Sequence, residues 1–162
     1  MSKKNQRDEK SSGIYRPTIS NKKARFNYHL LEKLEAGIAL LGTEVKSLRE
    51  GKASLEEAFC QIRDGELYLI GCTIAQYTHG NLQNHNPTRP RKLLVHRREL
   101  RKLQTKVTQK GLTMVPLRIY FTRGLAKVEI AIGQGKTHGD KRDKLKERQV
   151  GREIRQAMQR RR

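Results

Sequence analysis

Carboxylates are scarce in this sequence relative to the charge they would have to balance. The 162 residues carry 16 Asp and Glu against 36 Lys and Arg, a formal charge of +20. A chain so poor in acids repels itself unless a polyanion supplies the missing charge, and the natural polyanions are nucleic acids and anionic membranes. Long apolar runs are missing too. None approaches the roughly 18 consecutive residues that a membrane-spanning helix needs, and the first thirteen residues, MSKKNQRDEKSSG, lack the apolar stretch of a signal peptide. Only the C-terminal stretch could lie on a membrane surface, and its apolar residues are too few. Nucleic acid is the better partner, and the cytoplasm the expected compartment. Cysteine is confined to Cys60 and Cys72, with no Cys-x-x-Cys pair, which argues against a zinc site. Both lie in strand-like stretches as small packed side chains in a reducing compartment, with a disulfide as the alternative.

Catalytic signatures are equally scarce. Gly135-Lys136-Thr137 has the ending of a phosphate-binding loop, but that loop needs a glycine five positions before Gly135, where Ile130 stands. There is no nucleophile elbow. Asp8-Glu9, Glu44 and Glu56-Glu57 form no evident acid–base pair; Ser54 and Glu57 match a capping box at a turn instead. His79 and His85, without neighbouring cysteines, read as residues of a solvated loop rather than metal ligands. The expectation is a binding protein with no enzyme activity, no metal and no cofactor.

What is present is one modest core with polar, basic ends. Hydrophobic residues are 35% of the chain, a low share that leaves part of it outside a core. Residues 1–20 read as a flexible basic segment, 21–133 as a single domain and 134–162 as a basic tail. A strand begins at Tyr28, alternating imperfectly as far as Leu41. Thr43 is placed to cap a short helix ending at Gly51. Asp64-Gly65 between the runs 58–63 and 66–70 predicts a hairpin, and so does Arg123-Gly124 between 112–122 and 125–132. A long polar loop spans 79–91. Leu100, Leu103 and Val107 give one apolar helical stripe in a segment opening at Leu94 or Val95 and stopped by Gly111. Strands with turn signals, interrupted by two short helices, predict a mainly β protein built on a small antiparallel, OB-like barrel. From Lys136 on there are eleven Lys or Arg against four acids. Leu145, Ile154 and Met158 are too sparse for a stable free helix, so the tail should be disordered alone and fold on a polyanion.

The cations fall into groups: Lys22, Lys23 and Arg25 before the first strand; Lys46, Arg49 and Lys52 around the first helix; Arg89, Arg91 and Lys92 closing the long loop. Taken one at a time they are ordinary surface charges; together they imply several phosphate contacts and a steep salt dependence. Phe26, Tyr28, Tyr68 and Tyr77 either stack on unpaired bases or pack in the core. Composition alone leaves open an RNA-binding translation factor, a structural ribosomal or assembly protein, and an enzyme acting on RNA.

The ordered runs carry a resemblance. Asn21-Lys-Lys-Ala-Arg25 with Tyr28, Glu35-Ala-Gly37, Gly42-Thr-Glu-Val-Lys-Ser-Leu-Arg49, Arg63-Asp-Gly-Glu66, Pro87-Thr-Arg-Pro-Arg-Lys-Leu-Leu94, Lys110-Gly-Leu-Thr113, and Gly135-Lys136 with Asp140-Lys-Arg142 resemble the small protein B (SmpB) family over nearly the whole chain after about residue 13. The resemblance implies a barrel that binds the tRNA-like domain of transfer-messenger RNA (tmRNA) around its D-loop and elbow. It also implies a tail that becomes helical in the empty messenger channel of a stalled 70S ribosome and reaches the decoding centre. Elongation factor Tu and alanyl-tRNA synthetase are implied partners through the same RNA. Carried position by position, it puts Asn21, Lys22, Lys23, Arg25, Tyr28, Glu35, Lys46, Arg49, Lys52, Arg91 and Lys92 on the RNA. Gly135, Lys136, His138, Asp140, Lys141, Arg142, Lys144, Lys146 and Arg148 fall in the tail motif. Glu35 either accepts from base or ribose donors or pairs internally; His138 either meets a decoding base or is a solvated linker. Thr137 stands where the family has a second basic residue, and Gly139 precedes Asp140.

Overall fold

The computed structural model describes residues 17–159, apart from the side chains of Gln109, Lys110 and His138. The expected flexible segment therefore lies outside the described residues as far as residue 16, as does Arg160-Arg161-Arg162. Its end is not a free segment: Ile19–Ser20 forms a short strand, β1, and Ile19 is buried.

The remaining elements follow as α1 Ala24–Asn27, β2 Tyr28–Ile38, α2 Gly42–Arg49, β3 Ala53–Ser54, β4 Phe59–Arg63, β5 Glu66–Ile70, β6 Thr73–Ile74, β7 Arg91–Leu94, α3 Arg97–Lys110, β8 Thr113–Thr122, β9 Leu125–Gly135 and α4 His138–Gln159. The main sheet runs β1-β8-β4-β5-β7-β2-β9, and β9 pairs again with β8. Every pairing is antiparallel. The ring of pairings thus closes on itself, the bonding scheme of a small antiparallel barrel. Both hairpins turn where their signals predict, on positive-φ pairs Asp64-Gly65 and Arg123-Gly124 that match the twist of the flanking strands.

Alternate residues fill the interior. Val128, Ile130 and Ile132 of β9 meet Leu67, Leu69, Leu93, Met114 and Ile119 in one core, against which Leu100, Leu103 and Val107 of α3 pack as their spacing predicts. Two bulges modify the alternation, one between Leu30 and Glu32 and one between Pro116 and Arg118. The second suits Pro116, which has no N–H to give a ladder. Beside it Val115, Leu117, Ala131 and Ala24 form a smaller cluster beneath α1, with Tyr28 and Leu30 against it.

Several boundaries differ from expectation. Leu94 ends β7 because Leu93 is needed in the barrel, so α3 begins three residues later, where the Glu99 carboxylate accepts from the His96 N–H (3.1 Å). Thr43 does not cap α2. The Glu44 carboxylate takes the Leu41 N–H (2.7 Å), and the Thr43 hydroxyl pairs with His85 Nδ1 (2.9 Å). His85 is consequently buried, not solvated, its other ring nitrogen 3.0 Å from the Ile74 carbonyl. Ser54 accepts from the Glu56 N–H (3.4 Å) within a turn that starts no helix. The tail, expected to be disordered without a polyanion, is helical here. Thr137 and Asp140 cap each other's backbone N–H groups at its start (3.0 and 3.4 Å), while Leu145, Val150, Ile154 and Met158 remain exposed along its length.

Candidate nucleic-acid interface

Two residues assigned to the RNA surface are inside the protein. Asn21 is buried. Its amide donates to the carbonyls of Leu55 (2.9 Å) and Pro116 (3.2 Å), and its side-chain oxygen accepts from the N–H groups of Lys23 (3.2 Å) and Ala24 (3.1 Å). It closes an Asx turn that leads into α1 and ties that turn to the bulge. Arg91 is 0% exposed. Its Nε reaches Glu44 (2.8 Å) and its Nη atoms reach the carbonyls of Cys72 (2.6 Å), Arg89 (3.1 Å) and Pro87 (2.9 Å). Arg89 grips the same carboxylate through Nε (2.9 Å) and Nη2 (2.6 Å). Burial opposes ionisation of Glu44, but these donors and the Leu41 N–H prevail and hold its carboxyl below the ordinary range. The runs around Gly42 and Pro87 are thus joined by a buried ion-pair network. Cys60 and Cys72 are free, buried thiols, and burial pushes Cys72 up to about 11.

Besides Arg97, Arg98, Arg101 and Lys102 exposed along α3, three groups of cations bear on the assigned positions. The first is the corner where α4 leaves the barrel. Lys22, Lys23 and Arg25 are exposed on or beside α1. The Lys136 and Lys144 ammonium groups converge on the Arg25 carbonyl (3.4 and 2.7 Å), and the Arg148 guanidinium lies over the Phe26 ring (5.7 Å). Lys136 beside Lys144, then slight burial and the Arg148 charge, press the Lys144 ammonium below its ordinary value. Cations crowded this closely make a ready site for an anion. Lys23 is partly engaged, 2.8 Å from Glu56, and Asp140 lies 3.5 Å from His29.

The second place is the outer face of α2. Lys46 and Arg49 are exposed, Lys46 over the Tyr77 ring (5.2 Å), and Lys52 pairs with Glu50 (2.7 Å). The third is the outer wall of β2, β9 and β8. Glu35 accepts from Lys127 and from the Tyr120 hydroxyl, which together hold its carboxyl below the ordinary range. Of the two readings of Glu35, the internal pairing is present. Arg118 and Lys33 both reach Glu129, and Arg118 lies over the Tyr120 ring (4.8 Å). Lys92 stands elsewhere, bonded to Glu66, which also accepts from the Tyr68 hydroxyl (2.9 Å). Tyr28 packs against the small outer cluster.

Sequence reading missed Arg118, Tyr120 and Lys127. The usable signal was register: Glu129 faces Glu35 directly, and Lys127 lies one alternate position along the same face. In the tail, Lys141 and Lys144 are half-buried, while Gly135, Arg142 and Lys146 are exposed; the His138 side chain lies outside the described residues. Among the described residues, no helix is long and apolar enough to cross a membrane.

Comparison with known proteins names this arrangement. The SmpB family model, described as SmpB protein, matches residues 18–160. The SsrA-binding protein of Thermosipho africanus is 50% identical over 144 residues, covering 88% of this chain and 97% of the relative. That of Acidothermus cellulolyticus is 54% identical over 142 residues, covering 88% and 89%. A solved structure reported as "tmRNA-SmpB: a journey to the center of the bacterial ribosome" is 54% identical with a TM-score of 0.63, covering 75% of this chain and 86% of the other. With the family match spanning both barrel and tail, this chain belongs to the SmpB family.

Proposed function

We propose that this chain binds tmRNA and serves trans-translation on stalled ribosomes, the barrel holding the tRNA-like domain near its D-loop and elbow. The observation that carries this reading is the basic corner around α1, where Lys22, Lys23 and Arg25 stand exposed on the barrel itself. Phosphate contacts made there and along α2 give grip and orientation. The tail extends from that corner as a cationic helix whose apolar residues lack a core, so it suits the messenger channel when no messenger fills it. Elongation factor Tu and alanyl-tRNA synthetase join through the RNA, in the cytoplasm. The protein is a binding partner and performs no turnover of its own.

Purified full-length chain should prefer the tRNA-like domain of tmRNA over an unrelated folded transcript and over ribosomal RNA fragments of equal length at moderate salt. Equal affinity for all three would favour a generic rRNA-coating protein and defeat the proposal. Labelled RNA should emerge intact. Truncation after Gly135 keeps β9 whole, so it should leave most of the RNA affinity and abolish tagging. Loss of most of the affinity would make the tail the main RNA site.

A further inference from the structure

Charge is missing from one stretch of this strongly cationic chain. Asp, Glu, Lys and Arg make up 32% of the residues, yet none occurs from Leu67 to Thr88. The first part of that run has a packing cause, since Leu67, Leu69, Cys72 and Ile74 are buried in the barrel. The loop that follows has no such cause: Gln76, Thr78, His79, Asn81, Leu82 and Gln83 are all exposed. At its tip Leu82 is 103% exposed, more than any other large apolar residue among those described.

The loop is held in shape. The Asn84 amide donates to the Tyr77 carbonyl (2.7 Å) and its side-chain oxygen accepts from the Tyr77 N–H (3.0 Å), so one side chain closes the loop as a paired strand would. The Gly80 N–H adds a bond to the Tyr77 carbonyl (2.9 Å), and the Gln83 N–H donates to the Gly80 carbonyl (3.2 Å). Asn81 takes a left-handed conformation (φ 45°), which its short polar side chain tolerates. The base of the loop stands on α2. The Ser47 hydroxyl donates to the Ala75 carbonyl (2.5 Å), buried His85 meets Thr43, and the Lys46 ammonium lies over the Tyr77 ring.

Single exposed leucines are ordinary on a protein surface. One carried on a preorganised tip loses little conformational entropy when it docks. RNA backbone laid on this loop would set phosphates against a stretch that offers them no cation, while α2 beside it offers Lys46 and Arg49. A ribosome presents RNA and protein. Of the two, only protein has an aliphatic pocket with little charge around it. We propose that loop 77–84 docks on a ribosomal protein, Leu82 entering an apolar, weakly charged pocket there, with Asn84 as the positioning residue that fixes the tip. The assignment rests on the ribosome-binding reading given above.

The test titrates the full-length chain, bound to tmRNA, with stalled 70S ribosomes. Leu82→Ala and Leu82→Asn should each weaken that binding roughly tenfold, the scale of one leucine side chain kept out of an apolar pocket. Leu82→Met should bind nearly as the native chain does. All three variants should match the native chain in affinity for the isolated tRNA-like domain and in thermal unfolding. Asn84→Ala should weaken ribosome binding several-fold and add little to Leu82→Ala; full additivity overturns its positioning role. A benzoylphenylalanine photocrosslinker in place of Leu82 should form its adduct with a ribosomal protein. An adduct with ribosomal RNA alone would make the loop a wedge between bases and overturn the proposal. If the Leu82 variants bind ribosomes as tightly as the native chain, the docking assignment falls and the ribosome-binding reading stands. If the native chain does not bind stalled ribosomes, both fall.

Discussion

Glu44 and Glu35 solve the same electrostatic problem under opposite conditions. Each is a carboxylate gripped at both oxygens by side-chain donors, and each is held in its ionised form. Glu44 is 0% exposed, and Arg89, Arg91 and the Leu41 N–H use up its acceptors. Among the described residues, no buried side-chain polar atom lacks a partner. This network spans 45 to 47 residues of sequence and pins α2 to the end of the long loop and to β7. Glu35 has the pairing without the burial, and so keeps acceptors facing solvent. The contrast teaches that pairing alone does not decide what an ionic group is for. Complete enclosure makes it scaffold; partial exposure leaves it able to recognise.

The sharpest way to break this contrast is to remove the enclosed carboxylate. Glu44→Ala leaves the buried Arg91 guanidinium without its counter-charge, and breaking one side of a buried pair costs about 3–5 kcal/mol. Urea denaturation should show a loss of that size. A loss below about 1 kcal/mol, the scale of an exposed pair, would mean that the network is not scaffold. Acid should act on the same group. Its folded pKa lies below the ordinary 4.5. The stabilisation is therefore complete above the unfolded value and disappears as pH falls through the folded one. Stability measured below about pH 4.5 should drop more steeply for the native chain than for Glu44→Gln.

Next in size is a comparison within β7. Arg91 and Lys92 are sequence neighbours on opposite faces of a strand, one wholly buried and one bonded to Glu66 at the surface. Arg91→Ala should destabilise by about 3 kcal/mol or more, because it removes one of the two arginines that neutralise buried Glu44 and takes a donor from three carbonyls. Lys92→Ala should cost less than about 1 kcal/mol. Similar urea midpoints for the two variants would contradict the burial argument.

These neighbours also show where sequence reading stops. Charge and motif placed both on the RNA surface; strand alternation requires that one of them point inward, but the hydrophobic pattern gave no reason to bury an arginine. Its partner Glu44 lies far away in sequence, and nothing local announces the pair. Asn21 was misplaced for a similar reason, since a four-residue helix has too little periodicity to be seen and the Asn of the turn before it looked like a free polar side chain. Features with local causes were legible. Asp64-Gly65 and Arg123-Gly124 marked both hairpins, Leu100, Leu103 and Val107 marked the inner face of α3, and the turn-punctuated strands implied the barrel class. The charge surplus implied the polyanion. Long-range satisfaction of polar groups, as in His85 with Thr43 and Ile74, depends on the assembled fold.

The smallest expected change in stability, and the most informative about binding, comes from Glu35→Ala set beside Glu147→Ala. Both remove one exposed negative charge from a strongly basic protein, so simple electrostatics predicts slightly tighter RNA binding in each case. Stability should shift by less than about 1 kcal/mol in both, since the Glu35 pairs are half-exposed. If Glu35 is a recognition group, its variant must go the other way and bind the tRNA-like domain roughly tenfold more weakly, the scale of a lost bidentate base contact. Filter binding at several salt concentrations separates the two effects. A lost phosphate contact would change the salt slope, whereas loss of a base contact lowers affinity at every salt and leaves the slope alone. Equal behaviour of the two variants would reduce Glu35 to a surface ion pair and erase its difference in kind from Glu44.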